Sequence, residues 1–242
     1  MLNLESLKHC TTMNEEMKLS DFEHPLVQAK ARELIKPGAS REENLKRIFM
    51  YLRDEIKFGF PPKWDKVKAS ETIGYRIGYC NTKATLFNAL CKVAEIPSRI
   101  HAGLIDLSIM RGIFPAYAFP LLPVAGGHSW IEVEINGDWK SIDSYINDVP
   151  LYNAALKLLL SGGKKNGYSL SLAKGPTSCE FNFGEMGFVH MGAVVEDHGT
   201  WNDFSDYMAS DKYVALSGFK LMIFQSFTRT GNRNLMKLRL NC

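Results

Sequence analysis

The sequence predicts an α+β fold in which helices pack against an antiparallel sheet, and three local patterns carry this prediction. Two segments repeat apolar residues at helical spacing, one over residues 40–56 and one over residues 81–96. Over residues 128–143, alternation of apolar and polar residues around Asn136-Gly137 indicates a two-stranded hairpin. The chain has 242 residues, of which 45% are hydrophobic and 23% charged, and this composition fits one globular domain.

The first of these helices is marked at its start and along one face. Ser40 followed by Glu43 is a capping box, in which each side chain satisfies a backbone N–H group of the first turn. The apolar stripe consists of Leu45, Ile48, Phe49, Leu52 and Ile56. Residues 1–36 are also expected to be helical, with boundaries that Pro25 leaves open.

The second helix begins at a cysteine. Cys80 directly follows Gly78-Tyr79 and precedes an apolar stripe that Pro97 ends. The unpaired backbone N–H groups at a helix start favour a thiolate, lower the cysteine pKa and can donate to an oxyanion. Cys80 is therefore the candidate nucleophile, although a lone cysteine in such a place is more often a structural thiol.

The hairpin brings a histidine and an aspartate to the same face of the sheet. A two-residue turn at Asn136-Gly137 fixes a register in which Trp130 lies opposite Asp143. His128 precedes Trp130 by two residues and so shares its face, which makes His128 and Asp143 diagonal neighbours about 7–8 Å apart. An aspartate in that position could orient the imidazole toward a thiol, so Cys80, His128 and Asp143 form a candidate triad.

The remaining segments are predicted more coarsely. Residues 99–105 are expected to form a strand, and residues 106–126 an irregular excursion that could build a closed pocket. A short helix is predicted over residues 151–160 and possible short strands over 168–195. Residues 200–242 are expected to be mostly helical, with their basic residues on a solvated face.

Composition and motif content argue against several classes of function. The formal net charge of +3 and the scattered basic residues do not indicate nucleic-acid binding. No signal peptide and no apolar run of about 18 residues is visible, so a cytoplasmic protein without a membrane span is expected. The five cysteines are odd in number and lack any CxxC pair, which favours reduced thiols. No cofactor or metal is expected, because His101, His190 and His198 show no ligand spacing.

Together these motifs resemble the transglutaminase-like superfamily of papain-like cysteine enzymes. The matching runs are Gly78–Ala84, Ile96–Arg99, Gly127–Val133 and Trp139–Asp143. The resemblance covers a core of about residues 44–148. It implies a single transglutaminase-like domain over residues 1–242, in which the nucleophile helix packs on an antiparallel sheet and residues 150–242 form a mostly helical C-terminal extension.

The resemblance implies acyl transfer through a thioester at Cys80, with His128 as base and then acid and Asp143 orienting His128. The acyl donor would be a peptide, an amide or a small molecule, and water or an amine would resolve the thioester. The candidate substrate-binding residues are Trp64, Tyr75, Tyr79, Asn81 and Trp130. Two alternatives stay open: a cyclase, isomerase or lyase that uses the same cysteine on a small metabolite, and a catalytically silent binding module.

Overall fold

The computed structural model describes residues 18–182, 188–215 and 218–240. Among these residues, the α-helices are Pro25–Leu34, Arg41–Asp54, Ala69–Tyr75, Cys80–Val93, Val149–Ser161, Phe204–Met208 and Gly218–Leu240. None of the helices described is long and apolar enough to cross a bilayer. The first seventeen residues of the helix predicted over 1–36 lie outside the described part of the chain, as do Cys10 and Cys242.

The described strands form one main sheet and two small pairs. In chain order they are β1 (Lys57–Phe58), β2 (Ile77–Gly78), β3 (Ser98–Asp106), β4 (Ala125–Ile135), β5 (Asp138–Ile142), β6 (Asn166–Gly167), β7 (Leu170–Ser171) and β8 (Val194–Trp201). The main sheet is antiparallel, with the order β5-β4-β3-β8, while β1 pairs with β2 and β6 with β7. Helices pack against the main sheet, so the prediction of an α+β fold is confirmed.

The helix that begins at Cys80 runs through the centre of the core. Every residue from Cys80 to Cys91 is buried, whereas a one-sided apolar stripe predicts one exposed face. Polar side chains on this helix therefore bond internally. Lys83 donates from Nζ to the carbonyl oxygen of Ile146 at 2.8 Å, and burial lowers the pKa of its amine well below the usual value. The helix contacts both β3 and β4, which fixes Cys80 relative to the sheet.

The hairpin has the predicted register. Ile131 pairs with Ile142, and the pairing runs to the turn at Asn136-Gly137. Asn136 has φ 53° and Gly137 has φ 88°, and the two positive values are those that a type I′ turn requires. Local sequence is sufficient to set this register, because turn chemistry and alternation both lie within the hairpin.

The fourth strand of the main sheet, β8, was not predicted as a continuous strand. It pairs with β3, and the register shifts twice, between Ala102 and Gly103 and between Leu104 and Ile105. Such bulges interrupt the period of two by which strands are recognised. At Gly103 a Cβ atom would lie 2.3 Å from the carbonyl oxygen of Glu196, so the close approach of the two strands requires glycine there.

The C-terminal helix, Gly218–Leu240, docks across the core through polar side chains. Asn232 accepts from the backbone N–H of Phe60 at 2.9 Å and donates to its carbonyl oxygen at 3.0 Å. Asn234 donates to the carbonyl oxygen of Ile113 at 2.8 Å. These side chain–backbone bonds fix the helix against two loops of the core.

The end of the same helix is held by an ion pair. Arg239 donates from Nε to Asp148 at 2.9 Å and from Nη2 to Asp148 at 2.6 Å, and Nη2 also reaches the carbonyl oxygen of Phe58 at 2.7 Å. Asp148 is fully buried. The expected solvated basic face is correct for Arg229, Arg233 and Lys237, which are exposed. The expectation is wrong for Arg239, which turns toward the core because the buried carboxylate of Asp148 requires a charged partner.

Candidate active site

Cys80 occupies the first turn of its helix, with Tyr79 as the N-cap residue. Only 4% of Cys80 is exposed, and its thiol lies 3.4 Å from Oδ1 of Asn81. Burial raises the pKa of the Cys80 thiol to about 12, and the backbone N–H groups of Ser129, Asn81 and Cys80 oppose this only in part. The expected lowering of the pKa at the helix start is therefore wrong for this buried thiol, since loss of hydration outweighs the N–H donors.

His128 lies on β4 and is fully buried. Neither of its ring nitrogens has a hydrogen-bond partner. The rings of Trp130 and His190 lie against it, with centres 5.6 Å and 5.3 Å away. Burial lowers the pKa of His128 well below its ordinary value, and His190 adds to this effect. His128 is therefore a neutral imidazole with both nitrogens unoccupied.

Cys80 and His128 line one small cavity of about 60 Å³. The remaining wall is mainly aromatic and aliphatic, and it comes from segments that lie far apart along the chain. Its residues are Phe60, Trp64, Asp65, Tyr79, Asn81, Ile105, Leu107, Met110, Gly126, Gly127, His190, Val214 and Phe224. The predicted excursion over residues 106–126 contributes to this wall, and so does the C-terminal extension.

Asp143 does not bond to His128, contrary to the sequence-based prediction. Its Oδ1 accepts from the backbone N–H of Val189 at 2.7 Å, and its Oδ2 accepts from those of His190 and Met191 at 2.8 Å and 2.9 Å. The carboxylate follows the last residue of β5, where it meets a tight turn with three backbone donors. Burial raises the pKa of Asp143 to about 7, and these three donors oppose that rise.

Three of the five candidate substrate-binding residues line the cavity: Trp64, Tyr79 and Asn81. Tyr75 and Trp130 are not part of this wall. Tyr75 is 37% exposed at the end of its helix. Trp130 stacks on His101, with ring centres 4.2 Å apart, so it supports His128 from the sheet and does not face the cavity.

Asp65 was missed by the sequence analysis. One of its oxygens accepts from Tyr79 Oη and from Asn81 Nδ2 at 2.7 Å, and the other accepts from Tyr213 Oη at 2.7 Å. This network holds the amide of Asn81, whose Oδ1 in turn accepts from Ser129 Oγ at 3.0 Å. Asp65 therefore fixes the polar edge of the cavity next to the thiol, and no local pattern in the sequence indicates this role.

Comparison with known protein families matches residues 28–144 to the transglutaminase-like superfamily. These residues are a transglutaminase-like superfamily domain. Cys80, His128 and Asp143 all lie within the transglutaminase-like domain. Val214 and Phe224, which complete the cavity wall, lie beyond it in the C-terminal extension.

Among solved structures, one similar chain is titled "The Crystal Structure of a Putative Cysteine Protease from Cytophaga hutchinsonii". The match has a TM-score of 0.45 and 17% sequence identity, and it covers 78% of the present chain and 45% of that chain. The present chain therefore matches less than half of the length of that protein. A comparison with curated proteins found no match.

Proposed function

We propose that this protein is an acyl-transfer enzyme in which Cys80 is the nucleophile and His128 the general base. One observation carries the proposal. A thiol at a helix start and an imidazole on the neighbouring sheet line one cavity, and both nitrogens of that imidazole are unoccupied. Membership of residues 28–144 in the transglutaminase-like superfamily supports the same assignment.

The chemistry follows from these groups. As the sulfur of Cys80 attacks the acyl carbon, its proton passes to His128, and the C–N or C–O bond of the substrate breaks. His128 returns the proton to the departing amine or alcohol. In this proposal, backbone N–H groups around the sulfur, among them that of Ser129, stabilise the oxyanion. Water or an amine then attacks the Cys80 thioester, with His128 again accepting the proton.

The cavity favours a small or slender acyl group. A volume of about 60 Å³ within an aromatic and aliphatic wall suits an apolar group better than a bulky polar side chain. Peptides, amides and small acyl compounds remain the proposed substrate classes. The same enclosure also favours the second candidate, a cyclase, isomerase or lyase that uses Cys80 on a small metabolite without net hydrolysis.

The test is direct detection of the acyl-enzyme. The protein is mixed with p-nitrophenyl acetate and p-nitrophenyl butyrate, and adducts are located by intact-mass and peptide analysis. We expect an acyl adduct on Cys80 that forms much more slowly in His128→Gln and is lost in Cys80→Ala. Cys179→Ala is the matched control, because that thiol is buried outside the cavity. Equal acylation of Cys179, or no effect of His128→Gln, would overturn the proposal.

A further inference from the structure

A second histidine lies against the proposed base. His190 is fully buried and lines the same cavity as Cys80 and His128. The centres of the His128 and His190 rings are 5.3 Å apart, and their planes are inclined at 45°. A separation of this size is close to the one that an N–H···N hydrogen bond of ~2.9 Å between two imidazoles would give. The two rings are not hydrogen-bonded to each other in this structure.

The hydrogen bonds of His190 define which of its nitrogens carries the proton. Nε2 lies 3.1 Å from the carbonyl oxygen of Ser169 and 2.8 Å from Ser169 Oγ. The carbonyl can only accept, and the Ser169 hydroxyl donates its own proton to Asn147 Oδ1 at 2.9 Å. Nε2 must therefore be the N–H donor. In the neutral ring, Nδ1 is then a bare acceptor, and it is buried without a partner.

His128 offers the complementary group. A neutral imidazole carries one N–H, and neither nitrogen of His128 has a partner. A buried donor and a buried acceptor, each unpartnered, thus lie on facing rings. Resting on the proposed function, we propose that Nδ1 of His190 accepts the N–H of His128 and so positions the opposite nitrogen of His128 as the base for Cys80.

This assignment gives Asp143 an indirect role. Its carboxylate holds the backbone N–H groups of Val189, His190 and Met191, and so it fixes the turn that carries the His190 ring. Lys83 also acts on His190, and its positive charge disfavours a proton there. His190 and Asp143 are both positioning residues: the former acts on His128, and the latter acts through His190.

Two substitutions separate a positioning role from a structural one. The amide of asparagine lies where Nδ1 of histidine does, whereas that of glutamine lies where Nε2 does. His190→Asn keeps an acceptor for His128 and loses the bond to Ser169. His190→Gln keeps the bond to Ser169 and loses the acceptor for His128. We expect His190→Gln to slow acylation of Cys80 roughly 10- to 100-fold, and His190→Asn to slow it less although it is the less stable variant.

The acid limb of the acylation pH profile gives the second readout. Loss of the acceptor destabilises the imidazolium form of His128, so the limb should move to lower pH in His190→Gln and much less in His190→Asn. His198→Gln is the control, because His198 is a buried histidine outside the cavity. The inference would be overturned if the acylation rate simply followed the melting temperature across the variants and the acid limb of the pH profile did not shift.

A readout independent of catalysis separates this inference from the proposed function. In ¹⁵N NMR spectra of the Cys80→Ala protein, we expect a solvent-protected imidazole proton on His128, lost in His190→Gln. Such a proton without any acylation of Cys80 in the wild type would refute the acyl-transfer function and uphold the histidine pair. The opposite result would be normal acylation of Cys80, no protected proton on His128, and a His190→Gln variant that acylates as fast as the wild type. That result would refute the histidine pair and uphold the acyl-transfer function.

Discussion

At the scale of single residues, the site joins an acid and a base that burial keeps neutral. Burial raises the pKa of Cys80 to about 12 and lowers that of His128 well below its ordinary value. Both changes favour a thiol–imidazole pair over a thiolate–imidazolium pair. Proton transfer must then accompany attack on the substrate, so the second nitrogen of His128 needs an acceptor that stabilises the positive charge as it forms.

Asp143→Asn tests how the proposed acceptor, Nδ1 of His190, is held in place. Asparagine keeps the size but replaces one acceptor oxygen by a donor NH₂ group, so at least one of the three N–H bonds to the His190 turn is lost. We expect unfolding free energy, measured in urea, to fall by about 1–3 kcal/mol. Acylation should slow by less than in Cys80→Ala, and the double variant should be little worse than Cys80→Ala alone.

Asp203→Asn is the matched control for this prediction. Asp203 is a buried aspartate outside the cavity that also accepts backbone N–H groups, from Leu19, Ser20 and Ser205. It should lose comparable stability with no change in the acylation rate of the folded protein. If Asp143→Asn and Asp203→Asn acylate equally fast, Asp143 has only a structural role.

At the scale of the elements, an ionic cluster joins β3 and β4. Glu132 accepts from Arg99 Nε at 2.7 Å, and its other oxygen lies 2.8 Å from His101 Nδ1. Burial tends to raise the pKa of Glu132, but His101 and Arg99 outweigh it and lower the pKa to about 2. Burial tends to lower the pKa of His101, but Glu132 and Asp197 outweigh it and raise the pKa.

These shifts predict a pH window for the contribution of Glu132 to stability. Glu132 has its pKa lowered on folding, so its contribution is present above its unfolded value of about 4.3 and is lost toward pH 2. His101 has its pKa raised, so its contribution is present below about 6.5 and is lost as the pH rises through the folded value. In urea unfolding, the difference between wild type and Glu132→Gln should be largest near pH 5–6, at about 1 kcal/mol after solvent screening. A difference that does not vary with pH would contradict this assignment.

The sequence predicts those elements whose determinants are local. The capping box at Ser40, the helix start at Cys80 and the type I′ turn at Asn136 are each encoded within a few residues, and all three are present. Contacts between distant segments are not encoded in this way. Asp143 bonds to a turn whose first donor is Val189, 46 residues further along the chain, so no local period indicates that partner.

At the scale of the whole molecule, the C-terminal extension closes the site. Phe224 is 5% exposed and packs edge-on against Trp64, with ring centres 4.5 Å apart, and it also contacts Phe114. Its helix is anchored further along by Asn232 and Arg239. The burial that sets the pKa of Cys80 thus depends in part on a segment outside the transglutaminase-like domain, which explains why the motif around Cys80 alone predicts the wrong direction of shift.

Phe224→Ala should therefore expose the thiol. Truncation of a buried phenylalanine removes one wall of the cavity and costs about 3–5 kcal/mol of stability. We expect the alkylation of Cys80 by iodoacetamide at pH 8 to become faster by roughly tenfold or more, because the pKa falls as water reaches the sulfur. Phe227→Ala is the matched control, since Phe227 lies on the same helix and packs on Tyr117 outside the cavity wall.

Peptide mapping distinguishes local opening from global unfolding in the same sample. Cys91 is fully buried on the Cys80 helix and lies outside the cavity wall, so it is labelled only when the core opens. In Phe224→Ala, labelling of Cys80 should outpace labelling of Cys91, whereas unfolding would accelerate both together. Equal acceleration of the two thiols, or the same Cys80 rate in Phe224→Ala and Phe227→Ala, would show that the C-terminal helix does not control access to Cys80.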